Sequence, residues 1–450
     1  MILRFLQAPG NVLLVQGSPG TGKTTLALEI LRNSPAARKV YCSSRTSPTK
    51  LRQHFPFVDE VLDSMSGRIA RSQWVAEFED LRGQESDNVF NKVLKLKHGR
   101  ETSLMVIDSW EGALRNATDE GRGMLESAVL SELEDSKLTL VLITEGTRVG
   151  DLGHLVDGIV TLSSSEIEGR VTRTFLVNKM RGHRLLINHG LFSLDGGRFT
   201  FLPYTQLRHG NNHPTKPRAP IPHSDSLYST GSGDLDHLLG GGVRKGSFVL
   251  VDTDSNVPPT GIQVLLNTIG ANFVNQGGSC FVIPFTGISS EYIAEGLKPY
   301  IGAESLEERV RIAEFNPSSP ARKWKMVLKG RLREDTQTFL GAWTALSGDA
   351  PKMLGVDYDR MQQHYGEDQQ FSVLADISES LRDTGALNIG VASRHTRLRD
   401  ELLRTADYHL RLKSYEGSIL AFGVKPYTPI CAVGFDYREG TPDLTLAAMV

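Results

Sequence analysis

GSPGTGKT, residues 17–24, stands between the apolar run Val12-Leu13-Leu14-Val15 and the helical pattern Thr25-Leu26-Ala27-Leu28-Glu29-Ile30-Leu31. Strand, glycine-rich turn and helix in that order read as a phosphate-binding loop. The chemistry needs glycine because the backbone must fold around phosphate oxygens with its N–H groups turned inward, in torsions that a Cβ obstructs. Gly17, Gly20 and Gly22 supply that freedom, with Ser18, Pro19 and Thr21 completing the turn. Lys23 is expected to reach the β- and γ-phosphates and the Thr24 hydroxyl to hold Mg²⁺, while the helix opening at Thr25 aims its positive end at the triphosphate. ATP and Mg²⁺ are thus the expected ligands of residues 17–25.

The 450 residues are too many for one ordinary core and suggest two or three domains. A formal charge of −2 gives no global attraction to nucleic acid or anionic membrane, so any such contact needs a local patch. Cys42, Cys280 and Cys431 lie far apart in apolar stretches without metal-ligand spacing, which reads as buried free thiols in a reducing compartment. The opening MILRFLQAPGN is too short and too soon interrupted for a signal peptide, and no run approaches the ~18 apolar residues of a membrane span. A cytoplasmic protein without membrane attachment is expected.

Residues 204–226, rich in Pro, His and polar side chains without periodicity, read as a linker between domains at 1–203 and 227–450. The same landmarks recur on either side of it. Gly10–Val15 (GNVLLV) matches Gly246–Val251 (GSFVLV), and Val40-Tyr41-Cys42 matches Ser279–Val282. The run Leu104–Ile107 ending in Asp108 matches Met353–Val356 ending in Asp357, and HLVDGIVTL from His154 resembles RTADYHLRL from Arg404. Strands alternating with helices in this way imply an α/β fold, two tandem domains with mostly parallel central sheets. In the second copy Thr253, Asn256, Pro258 and Pro259 fall where Gly17, Gly20, Gly22 and Lys23 stand, so the prolines remove N–H donors and no cation meets the phosphates. That half is expected to be non-catalytic.

A carboxylate at the end of a buried parallel strand lies beside the phosphate loop, where Asp108 would hold water on Mg²⁺. The strand Leu138–Ile143 ends in Thr144-Glu145 at the same edge, in place either to sense a γ-phosphate or to be merely solvated. This order of P-loop, VIDS strand, HLVDGIVTL strand and FLVNKMRGHR resembles the KaiC-like branch of the RecA superfamily, the block Lys179-Met180-Arg181-Gly182 being the diagnostic element. The head of the second half, STGSGDLDHLLGGGVRKGSFVLV, is similar to the start of a KaiC-type domain. An intact first and decayed second P-loop in tandem also resembles the GvpD family of archaeal gas-vesicle regulators. The resemblance implies two RecA-like domains, a homo-oligomer, and Lys179 and Arg181 reaching a neighbour's γ-phosphate. It also implies a glutamate pair after the second strand that activates water, whereas this chain has Tyr41-Cys42-Ser43-Ser44-Arg45-Thr46. Serine and arginine cannot serve as a carboxylate base. Either Glu111 or Glu145 substitutes or hydrolysis is slow; the latter is favoured, and Ser44→Glu is then expected to raise turnover.

The leading expectation is an ATP-binding, slowly ATP-hydrolysing regulatory or assembly protein with nucleotide at a subunit interface. One alternative is a GvpD-like transcriptional regulator acting through a protein partner, with Lys179, Arg208, Lys216 and Arg218 as its basic contacts. The other is a RecA-type DNA repair ATPase. The short span Glu145–His154 and the slightly acidic charge speak against the last, so nucleic acid is not the favoured partner.

Overall fold

In a computed structural model the described residues are 1–63, 76–82, 86–115, 123, 133, 136–146, 152–202, 204, 218–315, 321–346, 350–365, 382–436 and 443–450. The chain divides into two compact units, Met1–Leu202 with Met449–Val450, and Pro203–Ala448.

In the first unit the strands are β1 (Val12–Gln16), β2 (Arg38–Ser43), β3 (Leu62–Asp63), β4 (Ala76–Asp80), β5 (Ser103–Asp108), β6 (Leu138–Thr144), β7 (Gly158–Ile167), β8 (Arg170–Met180), β9 (His189–Ser193) and β10 (Thr200–Leu202). They form one sheet in the order β10-β9-β8-β7-β1-β6-β5-β2-β4-β3, parallel from β7 to β3 and antiparallel from β7 to β10. Continuous apolar runs such as VLLV and LMVI suit strands buried on both faces. Alternate residues go to opposite sides. Leu13, Val15, Val106 and Ile143 pack against Leu26, Leu28, Ile30 and Leu31 of the helix Lys23–Asn33. Val12, Leu14, Ile107 and Leu142 pack with Val89, Val93 and Trp110 on the other face. Each buried leucine contributes about 1.5–3 kcal/mol by leaving water.

A two-stranded sheet of β11 (Leu227–Tyr228) and β12 (Val243–Arg244) opens the second unit. Its main sheet holds β13 (Phe248–Thr253), β14 (Ser279–Ile283), β15 (Val310–Glu314), β16 (Lys325–Val327), β17 (Lys352–Asp357), β18 (Leu387–Ser393), β19 (Tyr408–Tyr415), β20 (Ser418–Lys425), β21 (Cys431–Asp436) and β22 (Asp443–Ala448). The order β22-β21-β20-β19-β13-β18-β17-β14-β15-β16 repeats the first sheet from β10 through β2 and exchanges its last two positions: β4 lies inside β3 in the first sheet, whereas β15 lies inside β16 in the second. The chain is therefore α/β with two tandem RecA-like sheets.

Hydrogen bonds repeat as well. Val12 N–H donates to Asp157 Oδ2 and Phe248 N–H to Asp407 Oδ2, at 3.1 and 2.9 Å. Lys179 Nζ donates to the Val156 carbonyl and Lys425 Nζ to that of Ala406, both at 2.6 Å.

The described end of the expected linker, from residue 218, is fastened to the second unit: Ile221 N–H donates to Asn272 Oδ1 at 2.8 Å and His223 N–H to Gln276 Oε1 at 2.9 Å. Arg218 donates to the Gly231 carbonyl and Asp443, so its charge is used within the fold rather than offered to a partner. Arg208 and Lys216 lie outside the described residues. Cys42, Cys280 and Cys431 are buried free thiols, and burial pushes Cys42 and Cys280 up to about 12. Among the described residues no helix is long and apolar enough to cross a membrane.

Candidate nucleotide-binding site

β1 runs into the loop 17–22, and the helix begins at Lys23 behind Gly22, whose φ of +89° only glycine adopts without strain. A Cβ on Gly17 would stand 2.3 Å from the Leu162 carbonyl oxygen and 2.8 Å from Thr21 Oγ1, so the turn closes only with glycine there. Thr21 Oγ1 in turn donates to the Ser18 carbonyl at 2.9 Å, folding Ser18-Pro19-Gly20 into a tight bend. No side chain caps the helix, which leaves its first N–H groups facing the loop.

Lys23 is 8% exposed and donates from Nζ to the Gly17 and Ser18 carbonyls at 2.6 and 2.9 Å. Burial lowers its pKa, opposed by the charges of Asp108 and Glu111, while the charge of Arg45 lowers it further. Thr24 Oγ1 donates to Asp108 Oδ2 at 2.7 Å. Tyr41 Oη, from the middle of β2, donates to the same oxygen at 2.7 Å. Burial raises the Tyr41 pKa well above its usual value, and the Asp108 charge adds to this, so the hydroxyl remains a donor. Thr24 and Asp108 together offer hard oxygen ligands of the kind Mg²⁺ takes when phosphates complete its shell. The loop therefore fits a nucleotide triphosphate and the hydroxyl–carboxylate pair fits Mg²⁺. Thr25, in the first turn of the helix, is buried.

Glu111 and Glu145 meet at this edge. Glu145 N–H donates to Glu111 Oε1 at 3.1 Å, and the Glu145 carboxylate is ion-paired with Arg45. Burial raises the Glu111 pKa, against its own amide, the charge of Lys23, the Gly146 amide and the charge of Arg45. A carboxyl end raised by burial and coupled to Lys23 suits a proton acceptor better than one held by an arginine. Ser44 is committed elsewhere: its hydroxyl donates to the Ser109 carbonyl at 3.1 Å and accepts from Ser109 N–H at 2.9 Å, against Gly112. Position 44 thus clasps the turn after Asp108, and a glutamate there would displace that clasp instead of supplying a base.

Lys179 and Arg181 are at the opposite pole. Lys179 pairs with Ile159 and Arg181 bonds Asp157, whose other oxygen accepts from Val12 at the start of β1. The phosphate loop follows the far end of that strand, about 13 Å away at ~3.3 Å per residue. Neither cation reaches its own loop. Lys179 also donates to the Gly153 carbonyl at 3.0 Å, closing the helix Leu152–Leu155. In the half without a P-loop Lys425 repeats the bond to the Val156 carbonyl with that of Ala406, so the lysine serves there as a brace, and Tyr427 stands in the place of Arg181.

Sequence reasoning passed over Tyr41 and Arg173. Arg173 Nη1, on β8, donates to the Gly20 carbonyl at 3.0 Å and holds the loop from behind. Its position in the alternating run Arg170–Met180 carries no signal for this, since the contact depends on how the β7–β8 hairpin overhangs the loop.

In the second unit β13 ends at Thr253 and its helix begins at Pro259, as the repeat predicts. Asp252, in the place of Gln16, is bound by Arg399 through both carboxylate oxygens and by His409 and Arg411. Burial would raise its pKa, but these partners outweigh that and hold it well below the usual carboxylate range. Asp357, in the place of Asp108, accepts from the Thr286, Asp359 and Arg360 amides at 2.6, 2.8 and 3.2 Å. It caps the next helix instead of meeting a P-loop hydroxyl.

Residues 7–197 match the family model of the KaiC ATPase. GvpD1 and GvpD2 of Halobacterium salinarum are 24% and 25% identical to the chain, across 99% of it and 95% of either relative. A UPF0273 protein of Thermotoga maritima is 29% identical across 38% of the chain and 79% of its own length. Residues 7–197 are thus a nucleotide-binding, KaiC-like domain of the RecA superfamily, in a chain similar to GvpD1 and GvpD2 nearly end to end.

Proposed function

We propose that the first unit binds ATP with Mg²⁺ and hydrolyses it slowly, as the switching element of a regulatory or assembly protein that works as a homo-oligomer. The observation that carries the ATP reading is the convergence of Lys23, Thr24 and Asp108 on a loop that closes only with glycine at position 17. Lys23 would neutralise phosphate charge, and Thr24 and Asp108 would hold Mg²⁺, which when bound draws charge from the phosphate oxygens. Slow turnover follows from the absence of a carboxylate in Tyr41–Thr46, leaving Glu111 as the proton acceptor at a place the fold did not build for one.

The homo-oligomer rests on the distance between Arg181 and its own loop. An arginine that acts on phosphoryl transfer from that position acts on another copy's nucleotide. Similarity to GvpD1 and GvpD2 over both halves favours a regulatory role through a protein partner, since the second unit keeps the fold while its strand edge is filled by salt bridges.

Calorimetry with ATP-Mg²⁺ tests the reading. Wild type should bind one nucleotide per chain and Lys23→Ala none. Wild-type affinity in Lys23→Ala would overturn the assignment.

A further inference from the structure

We propose that Arg45 is a γ-phosphate sensor acting within its own subunit, with Glu145 as the counter-ion it leaves when a triphosphate enters. This rests on the reading of residues 17–24 as an ATP site.

The backbone places it there. Ser43, the last residue of β2, is in register with Asp108, and Ser44 N–H donates to the Asp108 carbonyl at 2.8 Å. With the Ser44 side chain clasped to Ser109, Arg45 is the next side chain to project over the strand ends. Its partner Glu145 follows β6, and β5 lies between β2 and β6, so the ion pair bridges the end of the strand that carries Asp108.

Electrostatics give the pair its chemistry. The charge of Arg45 is felt at both Lys23 and Glu111, so two cations and a carboxylate converge on one small space. Lys23 and Arg45 repel each other across it, and a multiply charged anion relieves that repulsion. The ion pair itself is half open to water, its side chains 53% and 39% exposed, which makes it weak. A guanidinium binds a phosphate through two parallel N–H bonds, more strongly than it holds a solvated carboxylate. A diphosphate lacks the γ-phosphate and so offers Arg45 nothing to exchange for.

The exchange also reaches the candidate base. Glu145 N–H holds Glu111, so release of the Glu145 carboxylate loosens the segment that positions Glu111. Triphosphate recognition and the state of the base are therefore coupled through one arginine, in the segment where KaiC-like relatives would carry an acid.

The test is calorimetric titration of the full chain with ATPγS-Mg²⁺ and ADP-Mg²⁺. Arg45→Ala should lose about tenfold to a hundredfold in ATPγS affinity with ADP affinity unchanged, the range of a hydrogen-bonded charge contact. Arg45→Lys should fall between, because it keeps the charge without the fork. Glu145→Gln should bind ATPγS more tightly by up to about fivefold, since the competing ion pair is gone. An unchanged ATPγS-to-ADP ratio in Arg45→Ala overturns the proposal, as does an equal loss for both nucleotides, which marks a structural role. Failure of wild type to bind either nucleotide overturns the ATP reading itself, a different result from either of these.

Discussion

Tyr41→Phe removes one oxygen from a fully buried ring and leaves Asp108 with Thr24 alone on Oδ2. The bond lost is a neutral donor to a carboxylate, worth about 1.5–3 kcal/mol. Ring volume is kept, so no cavity adds to the loss. For a unit of this size each kcal/mol lowers the melting point by about 2–4 °C, giving a fall of about 3–12 °C in the transition of the first unit by calorimetry. A purely structural tyrosine would do no more than this. If Tyr41 also aims Asp108 at Mg²⁺, ADP affinity measured with Mg²⁺ should fall by about tenfold, as for one displaced charge-assisted bond, while affinity in EDTA stays at the wild-type value. Equal Mg²⁺ dependence in wild type and Tyr41→Phe would refute the positioning role, and an unchanged melting point would refute the bond.

Glu111→Gln should lower single-turnover phosphate release by about 10²–10⁴ at unchanged nucleotide affinity, whereas Glu145→Gln should retain most of it; the reverse order would make Glu145 the base. Lys179→Ala should destabilise the fold by about 1–3 kcal/mol in urea titration by orphaning two helix-end carbonyls. Arg181→Ala should stay within about 1 kcal/mol of wild type but weaken ATP-dependent assembly, read by mass measurement, and mixing it with Lys23→Ala should restore hydrolysis; a mixture without recovery rules out a shared site. Burial and the charge of Lys245 bring His223 down to about 4, so the unfolded chain takes up the proton first and stability falls as pH drops from ~6.5 towards ~4. Burial raises Asp357 to about 6 with the opposite sign, so stability falls as pH rises from ~4 to ~6. Denaturation across that range should therefore flatten on the acid side in His223→Gln and lose the opposing slope in Asp357→Asn; profiles parallel to wild type would refute both.

What was legible in the sequence was local. The loop 17–24 carries its chemistry in eight consecutive residues, and Asp108 is marked by the apolar run it ends. The duplicated strands were legible because each is a continuous apolar run with a recognisable next landmark, and the strand order shared from β10 through β2 bears this out, while the exchanged pair beyond β2 carries no such landmark. Tyr41 was hidden for the same reason that its strand was plain: within Val40-Tyr41-Cys42 an aromatic reads as core. Its hydroxyl meets Asp108 only because parallel pairing sets Tyr41 beside Val106 and so two residues short of the strand end. Ser44 and Arg45 were read as a missing base, since no sequence pattern reveals that one is clasped inward to Ser109 while the other turns out to Glu145. Such directions are set by neighbours on β5 and β6, far away in the chain.

The two halves separate what the fold needs from what the ligand needs. Asp157 and Asp407 tie the central strand to the one beside it, and Lys179 and Lys425 close the same helix end, whether or not a phosphate loop is present. These are requirements of the sheet. The differences gather at one edge: Gln16 against Asp252, Thr24 on Asp108 against amides on Asp357, Arg181 against Tyr427. In the second half that edge is closed by internal charge, with Arg399 and Arg411 fixed on Asp252, so no phosphate is needed to neutralise it. In the first half Lys23 is buried among its own loop carbonyls with Arg45 repelling it from the rim, an arrangement that an incoming anion relaxes. The same sheet thus carries an edge neutralised by its own charges in one copy and a glycine-built phosphate loop in the other.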